Sequence, residues 1–158
     1  LHPAGGEVIY GMWFIASILA GYIIQKPGVA LVAEIAGASG ELILGSPWGL
    51  TVLLYGVVQG LGAELVLALF RYRRFDLAVL ALSGIGAGIG SLLFDLYQGE
   101  FLALTRGALL LTVAVRLASG AVLAGVLGKA IVDALARTGV LNSYAVVRRR
   151  RQDVTSAV

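Results

Sequence analysis

The sequence predicts an all-α membrane protein, and three observations carry that prediction. Hydrophobic residues make up 59 % of the 158 and charged residues only 13 %, about half the charge of an ordinary soluble domain. Apolar runs close to the ~20 residues that a ~30 Å hydrocarbon core demands alternate with short polar breaks. The 22 glycines follow no three-residue period, which excludes collagen, and they suit membrane helices whose backbones approach closely.

Five spans follow in order. The first covers 8–24 and stops at Gln25-Lys26-Pro27-Gly28, where Pro ends the helical ladder and Gly permits the reversal. The second covers 29–44 and ends at Gly45-Ser46-Pro47. The third covers 48–70, the fourth 77–97 and the fifth 107–127. Beyond Leu127 the pattern turns amphipathic through Lys129, Asp133 and Arg137, which predicts a helical extension out of the bilayer. The membrane domain is thus expected over 1–147 and a disordered basic tail over 148–158. The chain opens on Leu1 rather than Met, and five spans put its ends on opposite sides. One further N-terminal helix is expected to complete a six-helix bundle.

Basic residues set the orientation. Lys26, then Arg71, Arg73 and Arg74, then Arg148 to Arg151 follow spans one, three and five, while the opposite loops hold only Arg106. The positive-inside rule puts the first group in the cytoplasm. This distribution explains the net charge of +3 by topology and leaves no basic face for nucleic acid.

Charged and aromatic residues at membrane depth are the candidate site, because burying charge in lipid is costly and such groups usually face a cavity or a partner. Glu34 and Glu41 are seven residues apart on one face of span two, with the small Gly37 and Ala38 between them. One reading gives them to a ligand; the other wets Glu41 at the helix end and pairs Glu34 with Arg116. Arg116, near the middle of span five, must meet a carboxylate, helix-end carbonyls or an anionic substrate group. Asp95 closes span four on the outer side, level with Tyr10 and Trp13. Carboxylates beside aromatic faces make a receptor for an organic cation. Gln59 serves either a heterocycle or a neighbouring helix. Glu64 and Arg71 read as a structural pair near the inner surface. Trp48, in a turn, reads as an interfacial belt residue.

Several chemistries have no candidates. Gly84, Gly86, Gly88 and Gly90 lack the spacing and the preceding strand of a dinucleotide fingerprint and read as close helix packing. No GxxxxGK[ST] loop is present. The single histidine, His2, lies in the terminal segment, and there is no cysteine, so histidine–metal catalysis and the Ser–His and Cys nucleophiles lack candidates in the membrane. No enzyme activity and no cofactor are expected.

The strings YGMWFIAS, KPGVALVAEIAG, VVQGLGAEL, FDLYQG and GKAIVDALARTGVLNSYAV resemble the YkoE-type substrate-binding subunit, or S component, of energy-coupling factor (ECF) transporters. The resemblance runs over 7–147. It implies a six-helix fold of which this chain lacks the first helix, and a location in a prokaryotic cell membrane. It also implies thiamin or its hydroxymethylpyrimidine precursor as ligand, and a transmembrane coupling (T) component and ATPase subunits as partners. The implied mechanism is toppling of the loaded subunit against the T component. Within these strings the ligand set is drawn from position and chemistry: Tyr10, Trp13, Glu34, Glu41, Gln59, Asp95 and Arg116. The competing readings are an ion-coupled secondary transporter that relays protons through the carboxylates, a membrane enzyme, and an assembly subunit that binds nothing.

Overall fold

The computed structural model describes residues 4–156, and every regular element among them is helical. In chain order these are α1 (Ala4–Glu7), a 3-10 turn (Tyr10–Met12), α2 (Ile15–Ile24), α3 (Val29–Ile43), α4 (Thr51–Leu69), α5 (Leu77–Gln98), α6 (Arg106–Ser119), a π-helical stretch (Gly120–Leu127), α7 (Gly128–Arg137) and α8 (Ala145–Ser156). Four stretches are long and apolar enough to cross a membrane: Gly5–Ile24, Thr51–Leu69, Leu77–Gln98 and Arg106–Arg137. The fifth expected span is the short α3. Its 15 residues rise about 22 Å, less than the hydrocarbon core, before Gly45 at φ 90° turns the chain.

Phe14, Ile18 and Tyr22 repeat every fourth residue and are buried, because α2 touches α3, α4, α5, the π-helical stretch and α7. At the α2–α7 contact, Asp133 accepts from the Tyr22 hydroxyl at 2.9 Å and from Lys129 at 2.5 Å. The glycine run of α5 works as the sequence predicts, and its alternation serves two neighbours at once. A Cβ on Gly86 or Gly90 would strike the carbonyls of Gly62 or Val58 on α4. A Cβ on Gly84 would strike the carbonyl of Gly120, and one on Gly88 would crowd Leu117. Backbone-to-backbone approach, not a ligand, explains these residues.

The first span is not one helix. Between α1 and α2 the chain kinks through the 3-10 turn, and Ser119 stabilises the break: its hydroxyl accepts from the Gly11 N–H at 2.9 Å and donates to the Val8 carbonyl at 2.7 Å. Broken backbone at membrane depth is tolerated only with such internal partners. The last span runs unbroken to Arg137. Residues 148–156 of the tail expected to be disordered continue the helix α8, which starts at Ala145, and Arg149 donates to the Tyr72 carbonyl at 3.0 Å. His2 lies outside the described residues.

Tyr72 also donates to Glu64 at 2.6 Å, and Glu64 accepts the N–H groups of Gly28, Ala30 and Leu31 at the start of α3. Glu64 is therefore structural, as expected, though its partners are backbone donors and Tyr72 rather than Arg71. These contacts gather Lys26, the 70–76 loop and Arg149 at one end of the bundle. Tyr10, Trp48 and Asp95 lie at the other.

A candidate ligand site at the end opposite the basic clusters

Arg116 interrupts the apolar face of α6 and is 3 % exposed. Its planar guanidinium forks onto Glu7, Nε to Oε2 at 2.5 Å and Nη2 to Oε1 at 2.7 Å. Nη1 donates to Asp95 Oδ2 and, at 3.2 Å, to Ser91 Oγ. The guanidinium also lies over the Tyr10 ring, 3.9 Å from its centroid. Asp95 Oδ1 accepts the Tyr55 hydroxyl at 2.5 Å. Ser91 donates to the Tyr10 hydroxyl at 2.9 Å and accepts from Gln59 Nε2 at 3.5 Å. Burying an ion pair costs desolvation, which is offset only when the remaining donors and acceptors are also matched. Here the guanidinium and both oxygens of each carboxylate are engaged.

This cluster forms one wall of a 340 Å³ cavity whose other walls are Trp13, Trp48, Tyr55 and Gln59. Trp13 and Trp48 meet edge to face at 6.4 Å and 87°, and Tyr10 stacks on Trp13 at 6.2 Å. A second cavity of 420 Å³ is lined by Glu34, Gly37, Glu41 and Gly56, and it shares Trp13 and Gln59 with the first. Both volumes fall in the range of about 300–1,000 Å³ typical of small-molecule sites. Glu34 is buried, and its Oε2 accepts the Ser17 N–H at 2.9 Å, which places its carboxyl at the N-terminus of α2. Glu41 is half-buried and, among the described residues, accepts the Ser46 hydroxyl alone, at 3.2 Å. A larger groove of 470 Å³ between α4 and α5 is lined almost entirely by aliphatic side chains and glycines and offers little to orient a polar ligand.

All seven residues singled out in the sequence border these two cavities. Tyr10, Asp95 and Arg116 line the first, Glu34 and Glu41 the second, and Trp13 and Gln59 both. Of the two readings open for Glu34 one falls, and the expectation for Asp95 changes. Glu34 does not pair with Arg116, whose partners are Glu7 and Asp95. Asp95 is not a free carboxylate awaiting a cation, since both its oxygens are engaged. Sequence reasoning missed Glu7, Tyr55 and Ser91, and read Trp48 as belt. Helical spacing signals two of them: Tyr55 lies four before Gln59 on α4 and Ser91 four before Asp95 on α5, while Glu7 reaches the site across the break before Tyr10 and has no such signal. Among the described residues, no three His, Cys, Asp or Glu side chains converge as a metal site.

The same architecture occurs in a solved crystal structure of an S component of an ECF transporter. It aligns with a TM-score of 0.91 and 45 % identity over 99 % of this chain and 81 % of that one. Residues 1–90 match the family described as the permease component of an ABC-type cobalt transport system. The chain belongs to the S components of ECF transporters. Within them it is 49 % identical over 144 residues, 91 % of its own length and 72 % of the relative's, to the Bacillus subtilis (strain 168) protein named as HMP/thiamine permease protein YkoE. It is a membrane transport component, of a family whose members are transporter subunits rather than enzymes.

Proposed function

We propose that this chain is the specificity subunit of an ECF-type importer in a prokaryotic cell membrane, contributing a bundle of five spans in which α1 and α2 make the first and α6, the π-helical stretch and α7 the last. It binds thiamin or its hydroxymethylpyrimidine precursor from outside and delivers it by ATP-driven toppling against a T component and ATPase subunits. The observation that carries this reading is the pair of neighbouring cavities that share Trp13 and Gln59 in their lining, at the end opposite the basic clusters. Positive loops mark the cytoplasmic side, so the cavities open outward, where a nutrient arrives. Indole faces suit a flat heterocycle, the Gln59 amide suits the edge of an aminopyrimidine, and the carboxylates suit a thiazolium. The likeness to a relative named as an HMP/thiamine permease selects this ligand among flat cations.

The test is equilibrium titration of the purified full chain with thiamin, hydroxymethylpyrimidine and an unrelated vitamin, read by tryptophan fluorescence. The expected result is one-to-one, submicromolar binding of at least one of the first two, with quenching of Trp13 and Trp48. Binding of the unrelated vitamin alone refutes the ligand assignment. Binding of none refutes the specificity-subunit reading.

A further inference from the structure

The two cavities differ in charge, and from that difference we infer that they divide the ligand: the Glu34–Glu41 chamber receives a cationic ring, the Arg116 chamber a neutral, hydrogen-bonding one. Glu41 is then the residue that favours a charged ligand over an uncharged one of the same shape. This rests on the reading of the cavities as the ligand site and adds a basis for selectivity within it.

In the Arg116 chamber, charge is already matched. Glu7 and Asp95 face a guanidinium, and Glu100, the remaining carboxylate on its wall, is exposed to water at the rim. A cation entering here would have to compete with Arg116 for acceptors that are all in use. What the chamber offers instead is hydrogen bonding. The Gln59 amide reaches Ser91 only at 3.5 Å, a long contact that a better partner displaces. The amide carries both a donor and an acceptor, which match the amino group and ring nitrogen of an aminopyrimidine stacked on Trp13.

In the other chamber the carboxyl groups face no cation. Among the described residues neither Glu34 nor Glu41 has a basic partner. Glu34 is held, because its Oε2 caps α2 through Ser17 and cannot swing away without uncapping that helix. Glu41 has one long contact to a serine hydroxyl and is the carboxylate free to close on a ligand. Trp13 lines both chambers, with Tyr10 already stacked on it. A two-ring ligand that fills both chambers has to thread the bond between its rings past the Trp13 and Gln59 side chains that line them both. Free hydroxymethylpyrimidine, with one neutral ring, needs only the Arg116 chamber.

The experiment compares thiamin with 3-deazathiamin, in which carbon replaces the charged ring nitrogen, by calorimetric titration of the full chain and of Glu41→Gln. The parent is expected to prefer thiamin by about tenfold or more, the factor that ~1.4 kcal/mol of differential interaction supplies. Glu41→Gln is expected to lose about that factor for thiamin while changing less than about twofold for the uncharged isostere, so the preference collapses. Equal affinity of the parent for both compounds overturns the division alone, and needs no variant. Unchanged thiamin affinity in Glu41→Gln, or equal loss for both compounds, overturns the assignment to Glu41. A parent that binds neither compound overturns the ligand reading and the division together.

Discussion

Replacing Arg116 by Leu should be among the most damaging single changes in the bundle. The substitution keeps the volume of the aliphatic stem and removes the guanidinium, stranding Glu7 and Asp95 at 9 % and 1 % exposure. Removing one partner of a buried ion pair typically costs about 3–5 kcal/mol, because the other charge stays desolvated. Here one cation serves two carboxylates and also covers the Tyr10 ring, so the upper half of that range applies. Glu7→Gln is milder: Arg116 keeps Asp95, the amide keeps one acceptor, and the loss is about 1.5–3 kcal/mol, that of hydrogen bonds to a charged group. At about 2–4 °C per kcal/mol for a chain of this size, Arg116→Leu lowers the midpoint by roughly 8–20 °C. Thermal unfolding of the purified protein in mild detergent reads both. The triple change Arg116→Leu, Glu7→Leu, Asp95→Leu should recover much of the loss, since no charge is then stranded. A midpoint for Arg116→Leu within about 2 °C of the parent would refute the account of this cluster as a matched buried network.

Gly86→Leu forces a side chain into the Gly62 carbonyl and should separate α4 from α5, lowering the midpoint by more than the same change at Gly107, where nothing lies within 4 Å. Asp76 caps α5, and the Val79 N–H it accepts, with Arg74 beside it, holds its carboxyl below the usual value. Its contribution is therefore present above about pH 4 and is lost as pH falls through the lowered value. Asp76→Ala should cost about 1 kcal/mol at neutral pH, with the difference from the parent closing in acid. In cells, uptake of labelled thiamin should require the ATPase subunits. Uptake driven by a proton gradient without them would favour the ion-coupled alternative.

Hydropathy made most of the bundle legible because each long span is apolar nearly throughout, and lipid leaves the backbone few options. Depth and helical spacing were enough to find Asp95, Arg116 and the two carboxylates of α3. Which of them pair was not legible, since pairing depends on helix order and rotation. Arg116 meets Glu7, which precedes the first expected span and so fell outside the search for charge at membrane depth. Trp48 follows Pro47 in a turn, where sequence alone could not tell a belt residue from a cavity wall. The break before α2 escaped notice because its satisfying partner, Ser119, is 108 residues from Gly11. The tail after 147 looked disordered by charge, yet it continues a helix that Val146 and Val147 start against the core.

The most direct measurement is an experimental structure of the full chain with thiamin bound. The account predicts the ligand across Trp13 and Gln59, its thiazolium toward Glu41 and its aminopyrimidine toward the Arg116 cluster. Thiamin lodged elsewhere, as in the aliphatic groove between α4 and α5, with both cavities unvisited, would contradict it.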